Sequence, residues 1–477
     1  MRNQTLATIL FPLSCLLLVS STRAQKQPLP NAPATHLFAQ IAPNAPPAQA
    51  PTAPPAAPQT PPDLTNALLP GPTLTIEQAE QMAFKNNPNI SVGRLLALAQ
   101  GQVTRQVRSI EMPQATADLT AVDTHKNSRI TGDGTINSPT IFDKAAGGLT
   151  VSQLITDFGH THNLVKSAQS NARAQLETER ATELDIKLAV DQAFYQALTT
   201  QALLKVAQQT LAQRQATGDQ VGALTKSQVR SELDLSFANV QISQANLLLL
   251  DAHGNEQASM AALNNVLGSE QDQQYDLVDD TGGNPQPAPD DAEALVQAAF
   301  RQRPDLASLN DSFLAAKQYT TAERDLWMPT VSALLTGGDA PIRDDQIQTP
   351  WYLGAGANMS IPVFNGFLYS ADAKEARYRA SAAGEQVRNL RDMIARDVRT
   401  AVLNAQTAFQ RIGVTQDMLN QSNFALDLAT ARYKIGLSSI VELTQAQLNQ
   451  TEAQIENTNA RYAYQTALAE VRYEVGQ

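Results

Sequence analysis

Apolar or small residues recur towards the C-terminus at Val387, Leu390, Ile394, Val398, Ala401, Ala405, Ala408 and Ile412. The steps are of three and four, averaging slightly under 3.6. That is the period of a helix that supercoils left-handed against its neighbours. Gly366 to Gln477 contains no proline, and the pattern breaks once, at Arg432-Tyr433-Lys434-Ile435-Gly436-Leu437-Ser438-Ser439. The stretch reads as two long helices, joined end to end or folded back at a glycine-centred turn. At ~1.5 Å per residue the first alone runs for roughly 100 Å, which no ordinary globular domain requires.

Upstream, order begins at Leu74-Thr75-Ile76-Glu77, with Thr75 as a helix cap and Gln78 at the capping-box position. The helical pattern reaches about Glu111, punctuated at Asn86-Asn87-Pro88. After Pro113, residues 114–123 alternate as a strand, 124–148 read as a polar loop, and Leu149-Thr150-Val151-Ser152 alternates again. Phe158-Gly159 then opens a helical stretch to about Ser227, which resumes from Leu233 to Leu267-Gly268. The second half repeats this order. Asp290-Asp291-Ala292-Glu293 opens a helix, and Arg303-Pro304 and Pro329 match Asn87-Pro88 and Pro113 at an offset of 216. Val331–Gly337 and Trp351–Val363 are strand-like, and Phe364 corresponds to Phe158. Asp234 precedes Gly268 by 34 residues, as Glu442 precedes Gly476. The chain is therefore an internal duplication, with repeats at 73–268 and 290–477 and a linker at 269–289. Each repeat is helix, strand, loop, strand, long helix, turn, helix.

In Trp351–Val363 the odd positions Leu353, Ala355, Ala357, Met359, Ile361 and Val363 are apolar. The even positions Tyr352, Gly354, Gly356, Asn358, Ser360 and Pro362 are mostly small or polar. This is a two-faced strand long enough for a bilayer, where roughly 9–11 tilted residues suffice. Trp327 and Trp351, the two tryptophans, lie just outside the start of strands that run in opposite directions. They fit an aromatic girdle at the two membrane interfaces.

Composition adds location. Arg2, the apolar run Leu6–Val19 and Thr22-Arg23-Ala24 make residues 1–24 a secretory signal peptide, too short to span a membrane. Cys15, the single cysteine, lies inside it and is followed by Leu16-Leu17-Leu18-Val19, which does not suit lipidation. The mature chain then has no disulfide. Residues 25–72 hold 14 of the 26 prolines and read as a disordered Pro/Ala-rich spacer. No later run is apolar enough for a transmembrane helix, so membrane insertion requires a closed β-barrel. The net charge of −11 becomes −13 without the two signal-peptide arginines and argues against nucleic acid as a partner. His160 and His162 are spaced i, i+2, which points the rings apart on a helix, so they are not read as metal ligands. No catalytic triad or phosphate loop is present, and the chain is read as a non-enzyme without cofactor.

The segment Tyr433-Lys434-Ile435-Gly436-Leu437-Ser438-Ser439-Ile440-Val441-Glu442-Leu443 resembles the helix-turn signature of the outer-membrane efflux family of TolC-like channels. The junctions Asp157-Phe158-Gly159 and Val363-Phe364-Asn365-Gly366 are similar to that family too, and the resemblance spans residues 73–477. It implies a mainly α fold with membrane β. Three protomers of four strands close a 12-stranded β-barrel in outer-membrane lipid, above a long α-helical barrel in the periplasm. It implies an inner-membrane pump and a periplasmic adaptor as partners, the adaptor meeting the turn Tyr433, Gly436, Leu437, Ser438 and Ser439. Glu442 falls at the first acid of the family's constriction ring, Gln445 at the second, and Asp234 at the acid that the first repeat supplies to the closed tip. A lone four-stranded sheet has two open edges that cannot face lipid, which agrees with a homotrimer. In the first repeat Gln228 stands in the place of Gly436, which argues against a shared turn geometry. Two functions fit: an export duct, or a periplasmic coiled-coil scaffold without a channel. The scaffold has no need of two-faced strands with tryptophan at both ends. A requirement for detergent and a heat-resistant oligomer separates the two.

Overall fold

The structure, a computed structural model, describes residues 72–122, 144–269, 273–279, 287–342 and 349–477. The signal peptide at 1–24, the spacer up to residue 71 and most of the loop at 124–148 lie outside the described residues. The first repeat contains β1 (Thr73–Leu74), α1 (Ile76–Asn86), α2 (Pro88–Arg108), β2 (Gln114–Val122), β3 (Lys144–Thr156), α3 (His160–Lys226) and α4 (Glu232–Leu267). After β4 (Asp276–Leu277) come α5 (Ala292–Gln302), α6 (Pro304–Asp325), β5 (Thr330–Ile342), β6 (Trp351–Ser360), α7 (Leu368–Lys434) and α8 (Ile440–Val475). α3 and α7 each have 67 residues, and α4 and α8 each have 36. No helix among the described residues is long and apolar enough to cross a membrane.

Local chemistry sets the ends. Thr75 Oγ1 accepts from Gln78 N–H while Gln78 Oε1 accepts from Thr75 N–H, closing the capping box of α1. Asn87 ends α1 and caps α2, with Pro88 at the first helical position. Arg303 and Pro304 occupy the same places between α5 and α6. Under each kink lies the end of a long hairpin. Asn87 Nδ2 donates to the Val266 carbonyl at 2.9 Å, and Arg303 Nη1 to the Glu474 carbonyl at 3.4 Å. Gly268 and Gly476 end those hairpins in the left-handed conformation, φ 70° and 90°. A Cβ would come within 2.8 Å of the Asn86 backbone at Gly268 and 3.0 Å of the Gln302 and Arg303 backbone at Gly476. The apolar period of α7 is its buried face. Ile394 and Val398 pack with Val296, Ala299 and Leu306, and Ala401 and Ala405 with Tyr464 and Val471.

The main sheet is antiparallel in the order β2-β3-β5-β6. Directly opposed residues share a face. One face carries the rows Ala117, Leu149, Gly337, Leu353 and Ala115, Val151, Leu335, Ala355. The other carries Thr116, Thr150, Thr336, Gly354, with the Thr150 and Thr336 hydroxyls 3.3 Å apart. Among the described residues nothing covers the apolar face, and Leu119 is 91% exposed.

Several boundaries differ from those expected. β6 stops at Ser360 rather than Val363, because Pro362 has no N–H to continue a ladder and Pro329 bounds the partner strand. β5 extends beyond Gly337 to Ile342, and β3 begins at Lys144, so residues 144–148 belong to the ladder and not to a loop. Gly147 and Gly148 there are packing features. A Cβ on Gly148 would come 2.2 Å from Tyr352 Oη, and one on Gly338 would come 2.3 Å from the Gly147 carbonyl oxygen. Part of 269–289 is more than a linker, since β4 pairs in parallel with β1 and buries Tyr275 and Leu277 in the core of α1, α3 and α4.

The strand-to-helix junctions are also realigned. Phe158 and Gly159 have φ of 55° and 115°, and Gly366 and Phe367 have φ of 65° and 68°. Phe158 thus stands opposite Gly366, and Gly159 opposite Phe367. Phe364 is not its counterpart: identity pairs phenylalanine with phenylalanine, whereas the backbone pairs left-handed residues. His160 Nδ1 lies 2.9 Å from the Ala322 carbonyl, and Asp157 accepts from Gly159 and Thr161 N–H to cap α3.

Candidate functional site

The two helical turns converge on one end of the hairpins. In the second repeat Gly436 N–H donates to the Tyr433 carbonyl at 3.1 Å and Leu437 N–H to the Arg432 carbonyl at 2.9 Å. In the first, Gln228 N–H donates to Thr225 and Val229 N–H to Leu224, each at 2.9 Å. Gly436 has φ 79° and Gln228 φ 59°. The turn geometry is therefore shared, contrary to the expectation from Gln228. The same capping bonds over-determine both turns and hold glutamine in a conformation that costs a non-glycine residue about 1–2 kcal/mol. Each turn ends in a serine cap. Ser231 Oγ accepts from Asp234 N–H at 3.2 Å, and Ser439 Oγ from Glu442 N–H at 3.3 Å. Both acids sit in a first helical turn, where the helix dipole favours a carboxylate.

An apolar floor of Val221, Ala238, Leu426, Ala429, Tyr433, Ile440 and Leu443 joins the hairpins beneath the turns. Tyr433 is 2% exposed, and its hydroxyl has no hydrogen-bond partner among the described residues. Burial pushes its pKa up, Arg230 opposes this and Asp234 adds to it. Arg230 crosses between the repeats: Nη2 donates to the Tyr433 carbonyl at 2.7 Å, and the guanidinium lies 4.3 Å from the ring centroid. In the sequence Arg230 belongs to no motif. Its signal is position, directly before the serine cap, where the other repeat has Ser438.

The expected site residues divide by location. Gly436, Leu437 and Ser439 are exposed at the turn, Leu437 at 67%, whereas Tyr433 faces inward and the Ser438 hydroxyl is buried with no hydrogen-bond partner among the described residues. Glu442 Oε1 lies 3.4 Å from Arg432 Nε, both side chains being about half exposed. Gln445 is exposed and donates to Asn449 Oδ1 at 2.8 Å. Asp234 is half-buried at the position equivalent to Glu442. At the other end of the molecule, Trp327 precedes Thr330 and packs edge-on against Tyr369 at 5.7 Å. Trp351 pairs with Asp339 at the opposite end of β5. The nine residue steps from Thr330 to Asp339 span roughly 30 Å, the thickness of a hydrocarbon core.

The sequence profile described as outer membrane efflux protein matches residues 80–269 and 295–477. TolC of Escherichia coli strain K12 is 23% identical over 416 residues, covering 81% of this chain and 79% of its own. TolC of Salmonella enteritidis is 26% identical over 121 residues, a stretch that covers 25% of each chain. A crystal structure of CusC shares the fold with a TM-score of 0.73 at 20% identity, over 84% of this chain and 92% of that one. The profile covers both repeats, the sheet has one apolar face and one dominated by polar and small residues, and the helices extend it far from the bilayer. The chain belongs to the outer membrane efflux protein family, as an outer-membrane exit duct of an efflux system.

Proposed function

We propose that the duct works as a homotrimer that receives cargo from an inner-membrane pump through a periplasmic adaptor, with residues 1–24 directing export and 73–268 and 290–477 as its two repeats. The observation that carries this reading is the sheet: β2 and β6 each leave an edge unpaired, and the sheet has one apolar face and one dominated by polar and small residues. Lipid does not tolerate such edges, and joining β6 of one copy to β2 of the next removes them. Three copies of four strands give a barrel of twelve. The helices support the same assembly. Leu233, Phe237, Val240 and Leu247 form an exposed stripe on α4, and Leu403, Val414, Phe424 and Leu428 another on α7. In the trimer these stripes meet neighbouring copies. Trp327 and Trp351 serve as the two interfacial girdles.

The exposed part of the turn around Gly436, Leu437 and Ser439 meets the adaptor, with Tyr433 and Ser438 holding it from within. Three copies of Glu442, with Asp234 nearby and Gln445 uncharged one turn on, form the constriction. A ring of like carboxylates favours cations between them, and Arg432 moderates that charge. The test is single-channel conductance in planar bilayers with a trivalent cation added on the tip side. Wild type is expected to be blocked, Glu442→Ala to escape block, and Arg432→Ala to be blocked at lower concentration. Equal block in all three proteins removes Glu442 from the constriction. A chain that stays monomeric without detergent and never conducts removes the trimeric duct.

A further inference from the structure

Arg214 lies on α3 where α4 and α8 close over it, 4% exposed. One of its N–H groups donates to Gln447 Oε1 on α8, and Gln447 Nε2 donates to Thr217 Oγ1 at 3.1 Å. Arg214 makes no ion pair among the described residues; of the two acids of α8 at the cleft, Glu452 and Glu456, the second is held by Arg411 at 2.6 Å. Burial pushes the Arg214 pKa down to about 10, which leaves it charged at neutral pH. One turn earlier, Thr210 is as deeply buried, and its Oγ1 has no hydrogen-bond partner among the described residues. Both residues line a cleft of about 530 Å³ between α3, α4 and α8, together with Gln241, Gln244, Thr451 and Glu452.

A guanidinium has five donors, and among the described residues one is used. A buried charge without a counter-charge is costly, so the cleft gains from any oxyanion it admits. The surrounding hydroxyls and amides supply further donors, and the arginine fork matches a carboxylate in two-point geometry. The volume is that of a site for a small molecule. Glu452 is exposed at the same cleft and has no ion pair among the described residues. It repels multiply charged anions and suits a ligand that bears a cation beside its carboxylate.

We propose that this cleft binds a small amphoteric carboxylate such as an amino acid, with the carboxylate on Arg214 and the ammonium towards Glu452. Such a ligand touches α3 and α4 of one repeat and α8 of the other, about 18 Å before the end of α3. It favours whichever arrangement of the hairpins keeps those three helices together.

The experiment is calorimetric titration of the purified, assembled protein in detergent at pH 7 and constant ionic strength. Glutamate, succinate and chloride are the probes, with thermal melting as a second readout. Wild type is expected to bind glutamate saturably and to melt at a higher temperature with it, to bind succinate less well, and to ignore chloride. Arg214→Gln should weaken glutamate at least roughly tenfold, the scale of one lost charged hydrogen bond. Thr210→Val, a milder change that preserves the charge, should weaken it less. Glu452→Gln should bring glutamate and succinate closer together. No saturable binding by wild type, or equal affinity in wild type and Arg214→Gln, overturns the proposal. If an acidic side chain of a neighbouring copy fills the cleft instead, wild type will bind no added carboxylate and Arg214→Gln will lose its oligomer.

Discussion

Gln228 and Gly436 occupy one backbone conformation with different side chains, and the difference has a measurable sign. Gln228 sits at φ 59° with a Cβ, whereas Gly436 has none at φ 79°. Gln228→Gly removes the left-handed penalty and adds back some unfolded-state freedom, so it should stabilise the tip by up to about 1 kcal/mol. Gly436→Val should destabilise it by about 1–2 kcal/mol, the left-handed penalty outweighing the unfolded-state freedom that valine removes. Proteolysis at the tip, or melting of the assembled protein, reports both. Destabilisation by Gln228→Gly would mean that the glutamine side chain itself holds the turn. The junctions show the same thing: Phe158 and Gly366, and Gly159 and Phe367, share a positive φ and differ in identity.

At the scale of elements, the seat of α1 on α3 contains an acid that titrates near neutrality. Asp191 of α3 is 3% exposed and has one oxygen without a hydrogen-bond partner among the described residues. Burial, then the charge of Glu80 on α1, push its pKa up to about 7, while Arg472 of α8, 3.7 Å away, and Lys187 pull it down. Tyr195, the remaining titratable neighbour on α3, stays neutral because burial raises its pKa. Unfolded, Asp191 ionises near 3.8. The folded state therefore binds a proton that the unfolded state releases, and stability falls as pH rises from about 4 to 7. Amide exchange in α1, corrected for intrinsic rate, should be slower at pH 5.5 than at pH 8, and Asp191→Asn should remove the difference. A wild-type α1 that is equally protected at both values would contradict this. The helices themselves were legible, because period and capping carry over tens of residues. Strand limits were less so: Gly147 and Gly148 look like a loop until Tyr352 is seen lying against Gly148 across the sheet. β4, two residues long, has no period to read, and Arg230 announces itself only once Tyr433 is beside it.

For the whole molecule, the apolar stripes on α4 and α7 make a direct prediction about assembly. Leu247→Glu and Phe424→Glu each place a charge where a neighbour is expected, removing about 2–3 kcal/mol of apolar burial per contact. Both variants should keep their helical content and run as monomers in detergent, by gel filtration with light scattering. Assembly as in wild type would mean that the stripes face something else. The open sheet edges have a different implication. β2 and β6 run in opposite directions, so copies joined edge to edge alternate correctly in any number. Two copies would give eight strands and four would give sixteen, both within the range of known barrels. The strands therefore do not count the copies. In the assembly proposed above, that leaves the number to the angle at which the 67-residue helices of one copy lean on the next, and the bore of the pore in the outer membrane would be dictated from the periplasm. A substitution that changes the lean of α4 against α7 would resize a barrel it never touches.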